Sequence, residues 1–278
     1  MLPGDPARTI AGLLATEEDV ARLHTQLGLD QPLIVQYVRF LGNLLRGDLG
    51  VSARTSRPVL EEILARLPAT LELALLSTAL ASFFGIIGGV IAATYHNSFI
   101  DYVISLFTLF GSSMPAYWLG LMLIILFAVQ WQVLPAAGNE GPLSFILPSL
   151  TLAAFSIALI TRMTRSSMLE VLNQDYIRTA RAKGLQEHSV LFNHALKNAL
   201  IPVITVVGLQ LGALFGGAVL TESVFGWPGI GLLLLDSISA RDYPVVQGVV
   251  LVFSSMFILL NVLVDVLYAY FDPRIHYG

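Results

Sequence analysis

Cysteine is absent from the 278-residue chain, which excludes disulfides, thiolate nucleophiles and cysteine-based metal sites and leaves the redox compartment open. Charge is scarce as well. Asp, Glu, Lys and Arg make up 12% of the residues, against about 25% in soluble domains, and the mean hydropathy is +0.75. A chain so poor in charge is predicted to be an all-α integral membrane protein. No Gly-x4-Gly-Lys-Ser/Thr loop occurs, so the chain carries no nucleotide chemistry of that kind and no cofactor is expected. No His-Glu-x-x-His occurs either, and His24, His96, His188, His194 and His276 are scattered, which argues against a metal site. Net charge is −4 with the basic residues clustered, which speaks against a nucleic-acid partner.

What the chain does have is long uncharged runs: Leu73–Ile100, Tyr102–Asn139, Gly141–Thr161, Asn198–Thr221 and Tyr243–Val264. About 20 apolar residues cross the hydrocarbon core, so five helices are predicted, over about 70–94, 102–130, 145–166, 199–221 and 244–270. Ser223–Leu235 is too short and too rich in glycine to span, and is predicted to be a re-entrant or interfacial loop. Pro115 is predicted to kink the second span, with a hinge near a path as the other reading.

Between the third and fourth runs lies a polar island, Arg162 to Lys197, with six of the chain's fifteen Lys and Arg. Each charge at the membrane centre costs about 2.5–3.5 kcal/mol, so the island must lie outside the bilayer. Five crossings put it on the same side as the tail, 272–278, which carries Arg274. The opposing short loops hold only Arg241, so 162–198 and the C-terminus are expected to be cytoplasmic. The same parity puts residues 1–68 outside the cytoplasm with no span ahead of them, and a missing first helix is the expectation there.

Residues 1–68 read as a small extracytoplasmic helical layer, and 69–271 as the transmembrane domain. Thr16 with Asp19 resembles a capping box that Gly28 closes. Pro32 opens a second helix with Leu33, Tyr37, Phe40, Leu41 and Leu44 on one face and Gly47 as its stop; Pro58 opens a third leading to Pro68. A packing lid and a solute-binding surface are the two readings of this layer.

The island divides at Gly184. Met168, Leu172, Tyr176 and Ala180 recur at helical spacing before it, and Phe192, Leu196 and Leu200 after it. The spacing predicts two short amphipathic helices over 168–198 with a small-residue turn at Thr179-Ala180-Arg181-Ala182-Lys183-Gly184. Such a turn fits a groove, with Arg178, Arg181 and Lys183 reaching carboxylates at its rim. A basic loop on anionic membrane lipid is the competing reading. Gly208, Gly212 and Gly216 repeat every four residues, for helix packing or for lining a path. Asp265, Glu222 and Glu72 lie near span ends; an intramembrane carboxylate is a candidate functional group, but so close to the interfaces they are expected to snorkel or cap instead, with Arg162 and Arg165 as interface anchors.

At the island the chain resembles the membrane subunits of binding-protein-dependent ABC importers of the dipeptide, oligopeptide, nickel and glutathione group. Arg178-Thr179-Ala180 stands for that family's Glu-Ala-Ala, Gly184 for its glycine and His194-Ala195-Leu196-Lys197 for its closing Ile-x-Leu-Pro. The phrase from Asp175 and Tyr176 to Gly184 is specific to the group. So are Leu2-Pro3-Gly4-Asp5-Pro6, Gly47-Asp48-Leu49-Gly50, Phe225-Gly226-Trp227-Pro228-Gly229 and Arg241-Asp242-Tyr243-Pro244. The resemblance implies a type I-like importer domain, six spans in the family, and a bacterial inner membrane. It further implies a second homologous permease, two cytoplasmic ATPase subunits that hydrolyse the ATP, and an external solute-binding protein, with Asp175–Gly184 coupling to the ATPase. The expected cargo is a dipeptide, oligopeptide or glutathione; nickel, or an ATP-independent transporter or channel, are the alternatives. An intramembrane hydrolase lacks its paired aspartate or Ser–His pair here.

Overall fold

The computed structural model describes residues 6–11 and 15–271. Residues 2–5 of the opening phrase, the tail 272–278 and the side chain of Asp265 lie outside the described residues. Among those described, the β pairing is a single bridge between Val51 and Pro58, and everything else regular is helical.

Three short helices come first: α1 (Pro6–Ala11), α2 (Glu17–Leu27) and α3 (Leu33–Leu45). The capping box at Thr16 and Asp19 is formed, and Gly28 closes α2 in the left-handed region at φ 67°. α4 (Val59–Thr94) runs through Pro68, so the helix opening at Pro58 and the first span are one element. α5 (Phe99–Ser113) ends before Met114, which is extended at φ −85°, ψ 134°. A residue that precedes proline is pushed out of the α region, and here the effect is a break. α6 (Ala116–Leu123), continued by π turns to Gln130, leaves at 109° to α5, so Pro115 ends one helix and begins another where a kink was expected.

α7 (Ile146–Leu172) follows a short 3-10 turn. α8 (Asp175–Ala182) and α9 (Glu187–Ser189) make up the middle of the polar island, whose start is the end of α7. A π turn over Val190–Leu196 leads straight into α10 (Lys197–Phe225), then α11 (Ile230–Ser239) and α12 (Tyr243–Phe271). Met168 and Leu172 therefore close the third spanning helix instead of starting a coupling helix. No breaker interrupts the chain before Asn173, and Thr164, Ser167 and Met168 are buried on the helix face that continues from the membrane.

Buried clusters fix the direction of each crossing. Leu73 packs with Leu152, Ala81 with Ala153 and Ile160, and Val90 and Ala93 with Met168, so α4 and α7 run parallel. Residues 95–145 must then carry the chain back along α7. They do so in steps: Asp101 pairs with Arg165, Gly111 lies against the Ala154 carbonyl, and Gly120 lies against Thr151. The broken pair α5–α6 thus makes one crossing, and with four unbroken long apolar helices the total among the described residues is five. α10 climbs from Ala199 beside Met168 to Glu222 beside Thr70. α12 descends from Val245 and Val249, packed on Val59 and Ile63, to Val264 beside Gly208. The island and the far end of α12 share one end of the bundle; Ser52, Trp227 and Asp242 share the other.

α4 and α7 touch most closely. A Cβ on Gly85 would lie 2.6 Å from Ile160, and one on Gly89 would lie 2.8 Å from the Thr161 carbonyl oxygen. In lipid, where apolar surface is not driven from water, such close backbone approach supplies the packing that holds helices together.

Candidate functional site: the helix that hangs from the bundle

α8 is eight residues long, and its two faces differ. Ile177 and Ala180 are buried, in a cluster with Val90 and Ala93 of α4, Met168 of α7, and Val190, Ala195 and Ala199 before and within α10. Asp175, Tyr176, Arg178, Thr179, Arg181, Ala182, Lys183 and Gly184 are exposed. The helix is thus anchored on three spanning helices at once and shows a polar face to the outside. Ala180, expected at the small-residue tip, has its methyl in the anchor.

The local chemistry is simple. Thr179 Oγ1 donates to the Asp175 carbonyl at 3.0 Å, and Arg178 lies 3.4 Å from the Asp175 carboxylate. Arg181 makes a two-point pair with Glu187, from Nε to Oε2 at 3.1 Å and from Nη2 to Oε1 at 2.6 Å, tying α8 to the element beyond the turn. Gly184 has φ 78°, a left-handed conformation that costs a side-chain-bearing residue roughly 1–2 kcal/mol, and nothing lies within 4 Å of where its Cβ would be. An exposed turn with a bare backbone at its apex is a shape that a second protein can grip.

The glycine repeat on α10 divides in space. Gly208 packs on Val264, where a Cβ would sit at 2.6 Å, and Gly212 makes ordinary contact with Phe257 and Asn261. Gly216 meets nothing within 4 Å and opens on an apolar groove of about 350 Å³ between α10 and α12, with Phe215, Phe253 and Phe257 on its walls.

Three polar clusters join residues that lie far apart in the sequence. Asp101, 3% exposed, is held by Arg165 with His96 beside them. Asp101 was legible as a lone acid between two long uncharged runs, but its partner 64 residues away was not. At the other end Glu222 is fully buried: Thr70 Oγ1 donates to it at 2.7 Å and the Leu232 N–H at 3.0 Å. Thr70 in turn accepts from the Ile230 N–H at 2.8 Å, and Trp227 Nε1 donates to the Ala69 carbonyl at 2.9 Å. Glu222 caps the first turn of α11, so of the two expectations for it, capping holds and snorkelling does not. Asp242 accepts from the Ser52 hydroxyl and from the N–H groups of Ala53 and Arg54, at 3.1 and 3.3 Å for the amides. The Trp-Pro-Gly and Arg-Asp-Tyr-Pro phrases are the parts that fasten α11 and the N-terminal segment to the spans.

Residues 85–277 match the family of binding-protein-dependent transport system inner membrane components, and residues 1–74 match the N-terminal region of such components. The chain belongs to this family. It is 48% identical over 277 residues to the glutathione transport system permease protein GsiC of Escherichia coli, covering all of this chain and 90% of that one. It is 45% identical over 305 residues to the dipeptide transport system permease protein DppB of Alkalihalophilus pseudofirmus, covering all of this chain and 92% of that protein. Among solved structures, an inward-facing form of the MetNI methionine ABC transporter superposes with a TM-score of 0.67 at 17% identity, over 77% of this chain and 97% of that one. That likeness carries the fold, and the family match makes the bundle the transmembrane domain of an ABC importer, in a multi-pass inner-membrane protein.

Proposed function

We propose that the chain is one permease subunit of an ATP-driven importer of small peptides, of the dipeptide, oligopeptide or glutathione kind. The observation that carries the reading is the 48% identity to a glutathione permease along the whole chain. A second homologous permease encloses the path with it, an external binding protein delivers the solute, and two ATPase subunits engage α8. The basic bias of the island supports placing 162–198 and the C-terminus in the cytoplasm.

α8 suits the coupling role on physical grounds. Ile177 and Ala180 lock it to α4, α7 and α10 through a close-packed cluster, which transmits displacement because it cannot be compressed. Arg178, Lys183 and the bare turn at Gly184 are free to meet an ATPase cleft. ATP-driven closure of the ATPase pair then moves α8, and with it three spanning helices, between two discrete packings. For that the ATPase must contact α8 differently in the two states.

Uptake by reconstituted vesicles tests this. Accumulation of a dipeptide or glutathione should require the ATPase subunits, the binding protein and ATP together. Uptake by this chain alone, without ATP, would overturn the reading.

A further inference from the structure

α3 is amphipathic along its whole length. Gln36, Arg39, Asn43 and Arg46, just past its end, recur at three- and four-residue spacing on one face; Ile34, Tyr37, Val38, Leu41 and Leu45 occupy the other. The chain half-covers the flank that carries Gln36, Phe40, Asn43 and Leu44 and leaves Ile34, Tyr37, Val38, Leu41 and Leu45 exposed. Gln36 donates to the Leu29 and Gln31 carbonyls, and the Arg39 guanidinium lies against Gly28, so the loop that leaves α2 rests there. No residue of α3 is buried, and Ile34, Val38 and Leu45 are 68%, 62% and 90% exposed.

The level of α3 relative to the bilayer follows from its neighbours. Tyr243–Val264 is a 22-residue apolar stretch, about 33 Å long at 1.5 Å per residue, which matches a hydrocarbon core of about 30 Å. Leu49 packs with Val245 and Val249 at the start of that stretch, and Gly50 lies beside Pro244. α3 ends four residues before Leu49, so it emerges at the membrane boundary, with its aliphatic face turned away from the protein segment that half-covers the Gln36 flank. The face is aliphatic around a single Tyr37 and has no pocket, whereas binding hot spots favour Trp, Tyr and Arg in fully enclosed sites; a tyrosine is at home at the headgroup boundary, where its ring is buried and its hydroxyl wet.

We infer that α3 lies in the lipid interface of the leaflet at the end opposite α8, with Ile34, Val38, Leu41 and Leu45 sunk at the headgroup–acyl boundary. The occupant of its apolar face is the bilayer itself. The inference rests on the membrane-spanning bundle alone and stands apart from the coupling role of α8.

The absence of cysteine makes the test direct. Single substitutions Val38→Cys, Leu41→Cys, Leu45→Cys, Arg39→Cys and Asn43→Cys in the full chain are spin-labelled and reconstituted in nanodiscs of phosphatidylethanolamine and phosphatidylglycerol. Collision with dissolved oxygen should exceed collision with a water-soluble nickel chelate at 38, 41 and 45, and the order should reverse at 39 and 43. Chelate collisions dominating at all five positions, or neither reagent reaching 38, 41 and 45, would overturn the inference; the second outcome would mean a protein partner covers the face. The unsubstituted chain supplies an independent reading. A lipid with a photoactivated diazirine on its acyl chain should label the tryptic peptide between Arg39 and Arg46, and no label there while α4 is labelled would also overturn it.

Discussion

Arg165 grips Asp101 with two parallel hydrogen bonds of 2.7 Å, Nε to Oδ1 and Nη2 to Oδ2, tying the start of α5 to α7 at the end of the bundle that carries α8. Asp101 is 3% exposed and the Arg165 side chain 29%. Arg165, expected as an interface anchor, is an ion-pair partner with a fixed position, and the pair sets where the broken second crossing begins.

Removing one partner of such a pair leaves a charge without compensation. Arg165→Met should lower stability by about 3 kcal/mol, the low end for buried pairs because Arg165 keeps some solvent. Asp101→Leu combined with Arg165→Met should cost less than Arg165→Met alone. Thermal unfolding in detergent reads both, and strictly additive losses would show that the pair is not a unit.

The glycines make a ranked prediction. Gly89→Ala forces a methyl to within 2.8 Å of the Thr161 carbonyl, a backbone atom that cannot swing aside. Overpacking of this kind costs about 1–3 kcal/mol. Gly216→Ala adds a methyl to open space and should leave the melting temperature unchanged or slightly higher. If the groove beside Gly216 receives a neighbouring helix, transport will fall in Gly216→Ala without any loss of chain stability. Equal melting of the two variants would contradict the α4–α7 contact.

Much of the fold could be read from the sequence because membrane insertion is governed by local composition. The uncharged runs and the capping box at Thr16 are short-range facts, and each is present; Ser223–Leu235, expected as a re-entrant or interfacial loop, instead closes α10 at Phe225 and opens the short helix α11 at Ile230. Gly85-x-x-x-Gly89 was as visible as the repeat at Gly208, and it marks the tighter contact. What resisted was long-range pairing. Nothing in the spacing ties Asp242 to Ser52, Glu222 to Thr70 or Asp101 to Arg165, because those meetings depend on how five helices pack. The island misled for a related reason: charge marks where a chain leaves the bilayer, yet a helix continues past that boundary until something like Asn173 stops it.

Charge reversal on the exposed face of α8 should separate coupling from folding. Arg178→Glu and Lys183→Glu touch none of the buried cluster, so both chains should insert and melt as before. Opposed to acidic groups in an ATPase cleft, each should cut ATP-dependent uptake by about tenfold or more, since like charges at an interface cost several kcal/mol. Gly184→Arg adds bulk and backbone strain at the apex and should do the same. Ala180→Glu is the contrast: its carboxylate would enter the cluster with Ile177 and Met168, so stability should fall along with transport. Unimpaired transport in all three exposed-face variants would remove α8 from the coupling path.

Asp242 carries the last prediction. Its carboxylate accepts from the Ser52 hydroxyl and from two backbone N–H groups, and it is the polar hub that holds residues 52–54 against the start of α12. Asn keeps one acceptor oxygen but presents an NH2 where the other stood, which sets donor against donor at Ala53 or at Ser52 and Arg54. A hydrogen bond to a charged group contributes about 1.5–3 kcal/mol, so the loop should open locally while the spans stay packed. Trypsin reports this at the Arg54–Thr55 bond within the turn, since the bond after Arg57 leads into Pro58 and resists the protease. Cleavage there should be faster in Asp242→Asn than in the unsubstituted chain, with no change in the melting of the bundle. Glu at this position would keep the charge but is one methylene longer, and should fall between the two; cleavage rates identical in all three chains would show that the turn is held by its own bonds, among them Ser52 to Arg57 and Val59 to Gly50, without Asp242.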